Sequence, residues 1–515
     1  MRASSVLRSI ASNWAVLGLN VVISLFLSPY VVNKLGSVYY GIWALTLQFT
    51  GYLFLLDFGV RESVIRYVSK YNARHQPGPL NAVLTTAVHV YVPITLGCCA
   101  LTAFCAWGFP YWFDIAPSLA AEVRWTTLLV GGSIALTFIF NIFTGIQFGL
   151  QRFELANAFA VFFTIVRTAI IVWLLHTGHG IIALSAVQFG MTIVGGLLGA
   201  VIALRLLRNA GLTFKLVALT KKRRIALRKR VFGYGWYVLV NNIGQKIIFA
   251  SGAIITALML PIAAVTPYAI AGSLVENLRS LVSMTATVFN PLSSHLHALG
   301  RGGDVAAVLR SGAKLAVLIT IPVAISFVII GDAFIALWMG EEFRQPAGTV
   351  LLVLGIAQVV SAPHYIMSSV LYGISQHRVI ALVRIGEAAL NLLLSISLAY
   401  AYGIVGVALG MTIAHVISVG IVLPLRARRI LKLPLGPYYV ATVVRPALAV
   451  APFALALLWT RTHHEAHSLW VLLSQIAGLL LIYAPSVYLL GLDGDERAMV
   501  RRLLFRRTAP AATGA

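Results

Sequence analysis

Residues 13–32 read NWAVLGLNVVISLFLSPYVV, twenty positions without one charged side chain. An α-helix rises 1.5 Å per residue, so this run covers about 30 Å, the thickness of a bilayer's hydrocarbon core. It is too long for the apolar part of a cleavable leader and lacks a small-residue cleavage site, so it reads as a true span. Similar runs lie near 10–33, 39–60, 81–108, 124–148, 157–176, 181–205, 233–258, 265–290, 312–338, 347–373, 380–402, 404–425, 437–460 and 468–490. The ten-residue alternation of polarity that marks barrel strands is missing. The sequence therefore predicts an all-α polytopic membrane protein with about fourteen transmembrane helices.

Composition agrees. Of the 515 residues 59% are hydrophobic and 10% charged, against about 25% charged in a soluble domain. Mean hydropathy is +0.90. The net charge of +24 would suggest nucleic acid on a soluble protein, but here the basic residues sit in short connectors and no nucleic-acid motif appears. With the N-terminus placed inside, the inner connectors and tails hold 31 Lys and Arg and the outer connectors hold four: Lys34, Arg124, Arg344 and Arg461. By the positive-inside rule both termini are cytoplasmic. Cys98, Cys99 and Cys105 share one apolar run and read as packing residues.

The chain divides by sequence into an N-terminal lobe (1–205, spans 1–6), a basic cytoplasmic linker (206–232), a C-terminal lobe (233–432, spans 7–12), spans 13 and 14 (433–490) and a cytoplasmic tail (491–515). The linker carries Lys221-Lys222-Arg223-Arg224 and Arg228-Lys229-Arg230, a pattern suited to anionic headgroups. At an offset of 228, Asn13 matches Asn241 and Tyr40 matches Tyr268. Similar turns follow the fourth span of each lobe, Gly149-Leu150-Gln151-Arg152 and Gly373-Ile374-Ser375-Gln376-His377-Arg378. Six is even, so the lobes read as parallel repeats, an arrangement that places a substrate cavity at the repeat interface.

The N-terminal motifs carry a resemblance. Leu35-Gly36, Tyr40-Gly41-Ile42-Trp43, Gly51-Tyr52, Leu55-Leu56-Asp57-Phe58-Gly59 and Arg66-Tyr67 stand in order, with Gly149-Leu150-Gln151-Arg152-Phe153 and Asn157 beyond. This set resembles the Wzx-type polysaccharide-exporter flippases of the multidrug/oligosaccharidyl-lipid/polysaccharide exporter superfamily. The resemblance implies a MATE-like fold, two six-helix lobes in a V around a cavity lined by spans 1, 2, 7 and 8. It also implies a bacterial cytoplasmic membrane location and a cargo of undecaprenyl-diphosphate-linked oligosaccharide. Polysaccharide polymerase and glycosyltransferases would be partners. Span 7 departs from several relatives, with Asn241-Asn242 and Gln245-Lys246 where an acid stands in those.

Ionisable residues inside spans are costly and mark pathways. Counting 1.5 Å per residue, Lys246 lies ~20 Å deep, Glu276 and Arg279 ~16 and ~21 Å, Arg167 ~15 Å and Glu387 ~12 Å. Lys246 and Arg279 suit a diphosphate load. Glu276 shares a face with Arg279 three residues on, so the two can instead neutralise each other. Arg167 and Glu387 form either a second cation site or a structural pair. Asn13 and Asn20 on span 1, and Asn241 and Asn242 on span 7, are candidates for sugar hydroxyls. At the cytoplasmic end of span 2, Asp57 with Arg61 and Glu62 with Arg66 stand at i+4 and are expected to pair as a gate network.

His463-His464-Glu465-Ala466-His467 lacks metalloprotease spacing and sits in a short loop, so no metal site is assigned. No phosphate loop, catalytic triad or carboxylate pair is evident, and no enzyme activity or cofactor is expected. The leading reading is a lipid-linked oligosaccharide flippase. The alternatives are a multidrug exporter, a peptidoglycan-precursor flippase and, from another class, a membrane-embedded polymerase or glycosyltransferase, for which the outer loops leave no room.

Overall fold

The computed structural model describes residues 3–232, 235–494, 496–498 and 501, with only the backbone course at 3–15, 17, 153, 223, 228–232 and 235–238. The described residues are helical, with no strand among them. Among the described residues eleven helices are long and apolar enough to cross a membrane, and the bent pair Ser37–Asp57 and Val60–Ala73 makes a twelfth span. Val265–Thr287 adds another of 23 residues; Glu276 and Arg279 lower its hydropathy.

The last span hides in a continuous run, His377–Leu431, whose 55 residues would stretch about 80 Å as one helix. It is a hairpin. Gly403 breaks it with φ 57° and ψ −135°, a conformation open to a residue without a Cβ. Beyond the break the backbone returns along itself: a Cβ on Gly406 would overlap the Leu398 carbonyl, and one on Gly410 the Ser395 backbone. Small residues allow membrane helices this approach, and Ser395 Oγ bridges the limbs by donating to the Val407 carbonyl at 3.1 Å. Spans 11 and 12 are therefore the two limbs, and the count reaches fourteen.

By packing, the chain forms two compact units, 1–270 with 384–411, and 271–383 with 412–515. These units cut across the sequence-ordered lobes. In the first, Tyr91, Phe138, Ile142, Ile146, Leu80 and Leu84 build a core between spans 3 and 4. Span 7 joins this unit where Tyr52 donates to the Lys246 carbonyl at 3.2 Å, and the start of the helix Val265–Thr287 joins it where Thr266 donates to the Ser37 carbonyl at 2.5 Å. Backbone nitrogens of the linker, Lys215 and Val217, donate to Asn81 Oδ1 and Thr85 Oγ1 at the start of span 3, both at 3.1 Å.

The second unit is built on the antiparallel pair Gly302–Met339 and Arg344–Gly373. Spans 13 and 14 pack onto the first of these, where Tyr483 donates to the Leu318 carbonyl at 2.6 Å. Lys314, at 4% side-chain exposure, is held by Asp493 at 3.0 Å and Glu496 at 2.6 Å. Arg445 reaches the other Asp493 oxygen at 2.7 Å. Packing of the segment after span 14 thus buries Lys314, one of the 31 cations that the sequence assigns to the inner connectors and tails.

This cluster has a defined pH dependence. The Lys314 hydrogen bond, then the charges of Lys314 and Arg445, hold the Asp493 carboxyl below its usual range against partial burial. A depressed folded pKa contributes stability above the unfolded value, ordinarily 3.8, and loses it as pH falls through the folded one. Protease resistance of residues 491–498 should therefore be flat from pH 8 to 5 and fall below about pH 4. Lys314→Met should weaken it above about pH 5, by about 1–3 kcal/mol, and flatten the fall at low pH. That is less than the 3–5 kcal/mol of a wholly buried pair, because both carboxylates keep water.

Candidate substrate-handling site

The family-like motif at 55–59 breaks the second span. Its helix tightens to a 3₁₀ turn over Gly51–Asp57, and Phe58 and Gly59 follow in left-handed conformations at φ 49° and 72°. The chain resumes as Val60–Ala73, turned by 45°. Asp57 secures the break: its Oδ1 accepts from the Tyr91 hydroxyl of span 3 at 2.5 Å, and the Asn141 side chain of span 4 adds a second bond. A carboxylate near the end of a span is thus satisfied by two neighbouring helices.

The i+4 pairs expected here do not form. Among the described residues neither Asp57 with Arg61 nor Glu62 with Arg66 closes to an ion pair. The left-handed break lies between Asp57 and Arg61, so they no longer share a helical face. Arg61 instead lies over the Phe148 ring, 5.2 Å from its centroid. Glu62 is exposed on the resumed helix.

Lys246 approaches the same break from span 7. Its Nζ lies 3.1 Å from where a Cβ on Gly51 would stand, so the ammonium rests on the first residue of the 3₁₀ turn. The Tyr52 hydroxyl, bonded to the Lys246 carbonyl, locks the two backbones together. An apolar cavity of about 290 Å³ adjoins this contact, lined by Phe49, Tyr52, Leu53, Leu101, Cys105 and Ile254. A cation therefore sits at the point where the second span is least regular, beside an apolar recess.

Span 11 carries a polar seam against span 7. Glu387, fully buried, accepts from Arg384 at 2.8 Å. One turn on, the Asn391 amide donates to the Ile248 carbonyl at 3.3 Å and to Ser251 Oγ at 3.2 Å, and Ser395 Oγ lies 2.9 Å from Asn391 Oδ1. Arg167 and Glu387 are not partners: Arg167 donates to the Gln188 side chain of span 6 at 2.9 Å, while Glu387 takes the cation on its own helix. Residues three apart on a helix meet without any tertiary rearrangement.

In the second unit Glu276 and Arg279 neutralise each other through two-pronged hydrogen bonds of 2.5–2.8 Å. Asn241 is buried with an unsatisfied Oδ1, and Asn242 and Asn20 are exposed. The Asn13 side chain lies outside the described residues. In the linker Lys221, Lys222 and Arg224 are exposed, while the side chains of Arg223 and Arg228–Arg230 lie outside the described residues.

Sequence reasoning missed two buried histidines in the second unit. His364 Nδ1 donates to the Val360 carbonyl at 2.7 Å, leaving Nε2 of the neutral ring to accept from Tyr439 at 3.0 Å. His415 Nε2 meets Ser361 Oγ at 2.5 Å. Histidine inside an apolar run was the available signal.

These features define a class: a polytopic, all-α membrane protein with a broken second span and charges held at membrane depth. The family described as polysaccharide biosynthesis protein matches residues 6–297, more than half of the chain. The chain belongs to that family. It is 24% identical over 423 residues to the uncharacterized membrane protein EpsK of Bacillus subtilis, covering 80% of this chain and 81% of EpsK. It is 22% identical over 397 residues to the probable flippase AglR of Haloferax volcanii, covering 76% and 78%. Among solved structures, the lipid II flippase MurJ in an inward closed conformation gives a TM-score of 0.70 at 15% identity, over 97% of this chain and 100% of MurJ. An inward-facing multidrug resistance MATE family transporter gives 0.67 at 12% identity, over 80% and 94%. The fold is that of MurJ and the MATE transporters.

Proposed function

We propose that this protein is a flippase that carries undecaprenyl-diphosphate-linked oligosaccharide across the bacterial cytoplasmic membrane by alternating access. It would supply O-antigen, capsule or exopolysaccharide synthesis. Lys246 is the single observation that carries the reading: a point cation at mid-membrane depth, beside the break in the second span, suits a diphosphate in transit. Family membership supports it, as do the names of two relatives, the probable flippases AglR and Agl15. The 31-to-4 asymmetry of basic residues supports cytoplasmic termini, with the exposed linker cations on anionic lipid. Two parallel six-span repeats plus an added pair remain our reading of its internal symmetry. Glycosyltransferases would load the cargo and a polymerase would receive it.

Arg279 takes a secondary place, because its guanidinium is already committed to Glu276. Deletion of the gene should cause undecaprenyl-diphosphate glycan to accumulate, measured by mass spectrometry of extracted lipids. Re-expression should clear it. An unchanged lipid-linked pool, with surface polysaccharide intact, would refute the proposal.

A further inference from the structure

A second cavity, about 300 Å³, lies wholly within the first unit, between spans 4, 5 and 6 and the helix Val60–Ala73. Its polar lining is Arg61, Thr144, Gln147 and Asn157, and Phe140 and Phe159 supply apolar wall. No acidic residue lines it. Arg61 enters it with a buried Nε that has no hydrogen-bond partner. Its nearest carboxylates are otherwise engaged or turned away: Asp57 is held by Tyr91, and Glu62 is exposed. The face of its guanidinium rests on the Phe148 ring, which leaves the buried Nε–H without an acceptor; an unmet buried donor is costly, and a ligand oxygen in the cavity would satisfy it.

Position narrows the ligand. Gln147 and Asn157 stand five residues either side of Arg152 in a cytoplasmic connector, so the cavity opens at the level of the inner leaflet's headgroups. Its volume is at the lower end for ligand pockets and admits a headgroup, not a whole lipid or an oligosaccharide. Gln147 spends its amide on the Gly199 carbonyl at 2.8 Å, which keeps that wall rigid.

We infer that this cavity binds the phosphate of a lipid headgroup from the cytoplasmic leaflet, with Arg61 as its cationic ligand. The headgroup comes either from a resident anionic phospholipid or from a polyprenyl diphosphate. Arg supplies planar, paired donors to phosphate oxygens, and the rings flank the first methylenes.

The test uses the full-length protein in neutral detergent, reading the rise in Tm on titrating phosphatidylglycerol, phosphatidylcholine or farnesyl diphosphate. Phosphatidylglycerol or farnesyl diphosphate should stabilise the wild type, and whichever does so identifies the source; phosphatidylcholine should not. Arg61→Gln should weaken that half-saturation by at least about 10-fold, as expected for one charge-assisted contact. Arg61→Lys should recover part of it. Ala156 also lines the cavity, and Ala156→Leu fills it while keeping the charge and should lose the response too; it also decides the matter should Arg61→Gln fail to fold. An undiminished response in Arg61→Gln or Ala156→Leu, or no response in the wild type to either anionic lipid, overturns the assignment.

Discussion

Lys246→Ala should reduce surface polysaccharide to the level of a deletion strain while the protein remains at normal abundance in the membrane. The lysine contributes a charge on the 3₁₀ turn of the second span, where Gly51 leaves room for the ammonium. One charge-assisted contact is worth about 1.5–3 kcal/mol, roughly 10- to 150-fold in affinity. If the contact strengthens as the load passes mid-membrane, that factor falls on the rate. Lys246→Arg keeps the charge but brings a wider head group against Gly51, so it should retain part of the activity. Normal display from Lys246→Ala at normal abundance would remove this residue from the transport path.

Gly410→Val should collapse the yield of folded protein. The added Cβ alone would overlap the backbone nitrogen and Cα of Ser395, atoms that no rotamer change can move aside. The limbs of the 377–431 hairpin would have to part, breaking the Ser395 to Val407 bridge. Overpacking in a core costs about 1–3 kcal/mol where side chains can shift, and more where the obstacle is backbone. Native proteins hold only about 5–15 kcal/mol in all. Size-exclusion of a fluorescent fusion measures the monodisperse fraction. Gly386→Val is the control on the first limb, because nothing lies within 4 Å of a Cβ there. Equal loss in both variants would contradict the hairpin account.

The fold was largely legible because bilayer thickness imposes a length on every apolar run. Even the hairpin turn at Gly403 was readable: 46 residues between 380 and 425 cannot be one crossing. The Glu276–Arg279 pair, three apart on one helix, was legible as a pair, but the other charges were legible as positions and not as partners. Asp57 finds Tyr91, 34 residues away, and Arg167 finds Gln188, 21 away. Sequence spacing offers only local partners, whereas a polar group at membrane depth must take whichever partner packing supplies. Lys314 shows the other limit. It lies 13 positions into a 38-residue helix, too long to fit within the bilayer, so hydropathy could not tell a connector cation from one buried by the segment after span 14.

The sidedness of the lipid-linked glycan tests the central claim most directly. In spheroplasts of a polymerase-deficient strain, an impermeant lectin or glycosidase reports how much undecaprenyl-diphosphate glycan faces outward. With the wild-type protein present, most of that glycan should be accessible from outside. With the gene deleted, or with Lys246→Ala, it should be present in equal or greater amount and protected. Full outward accessibility in the deletion strain would contradict the account.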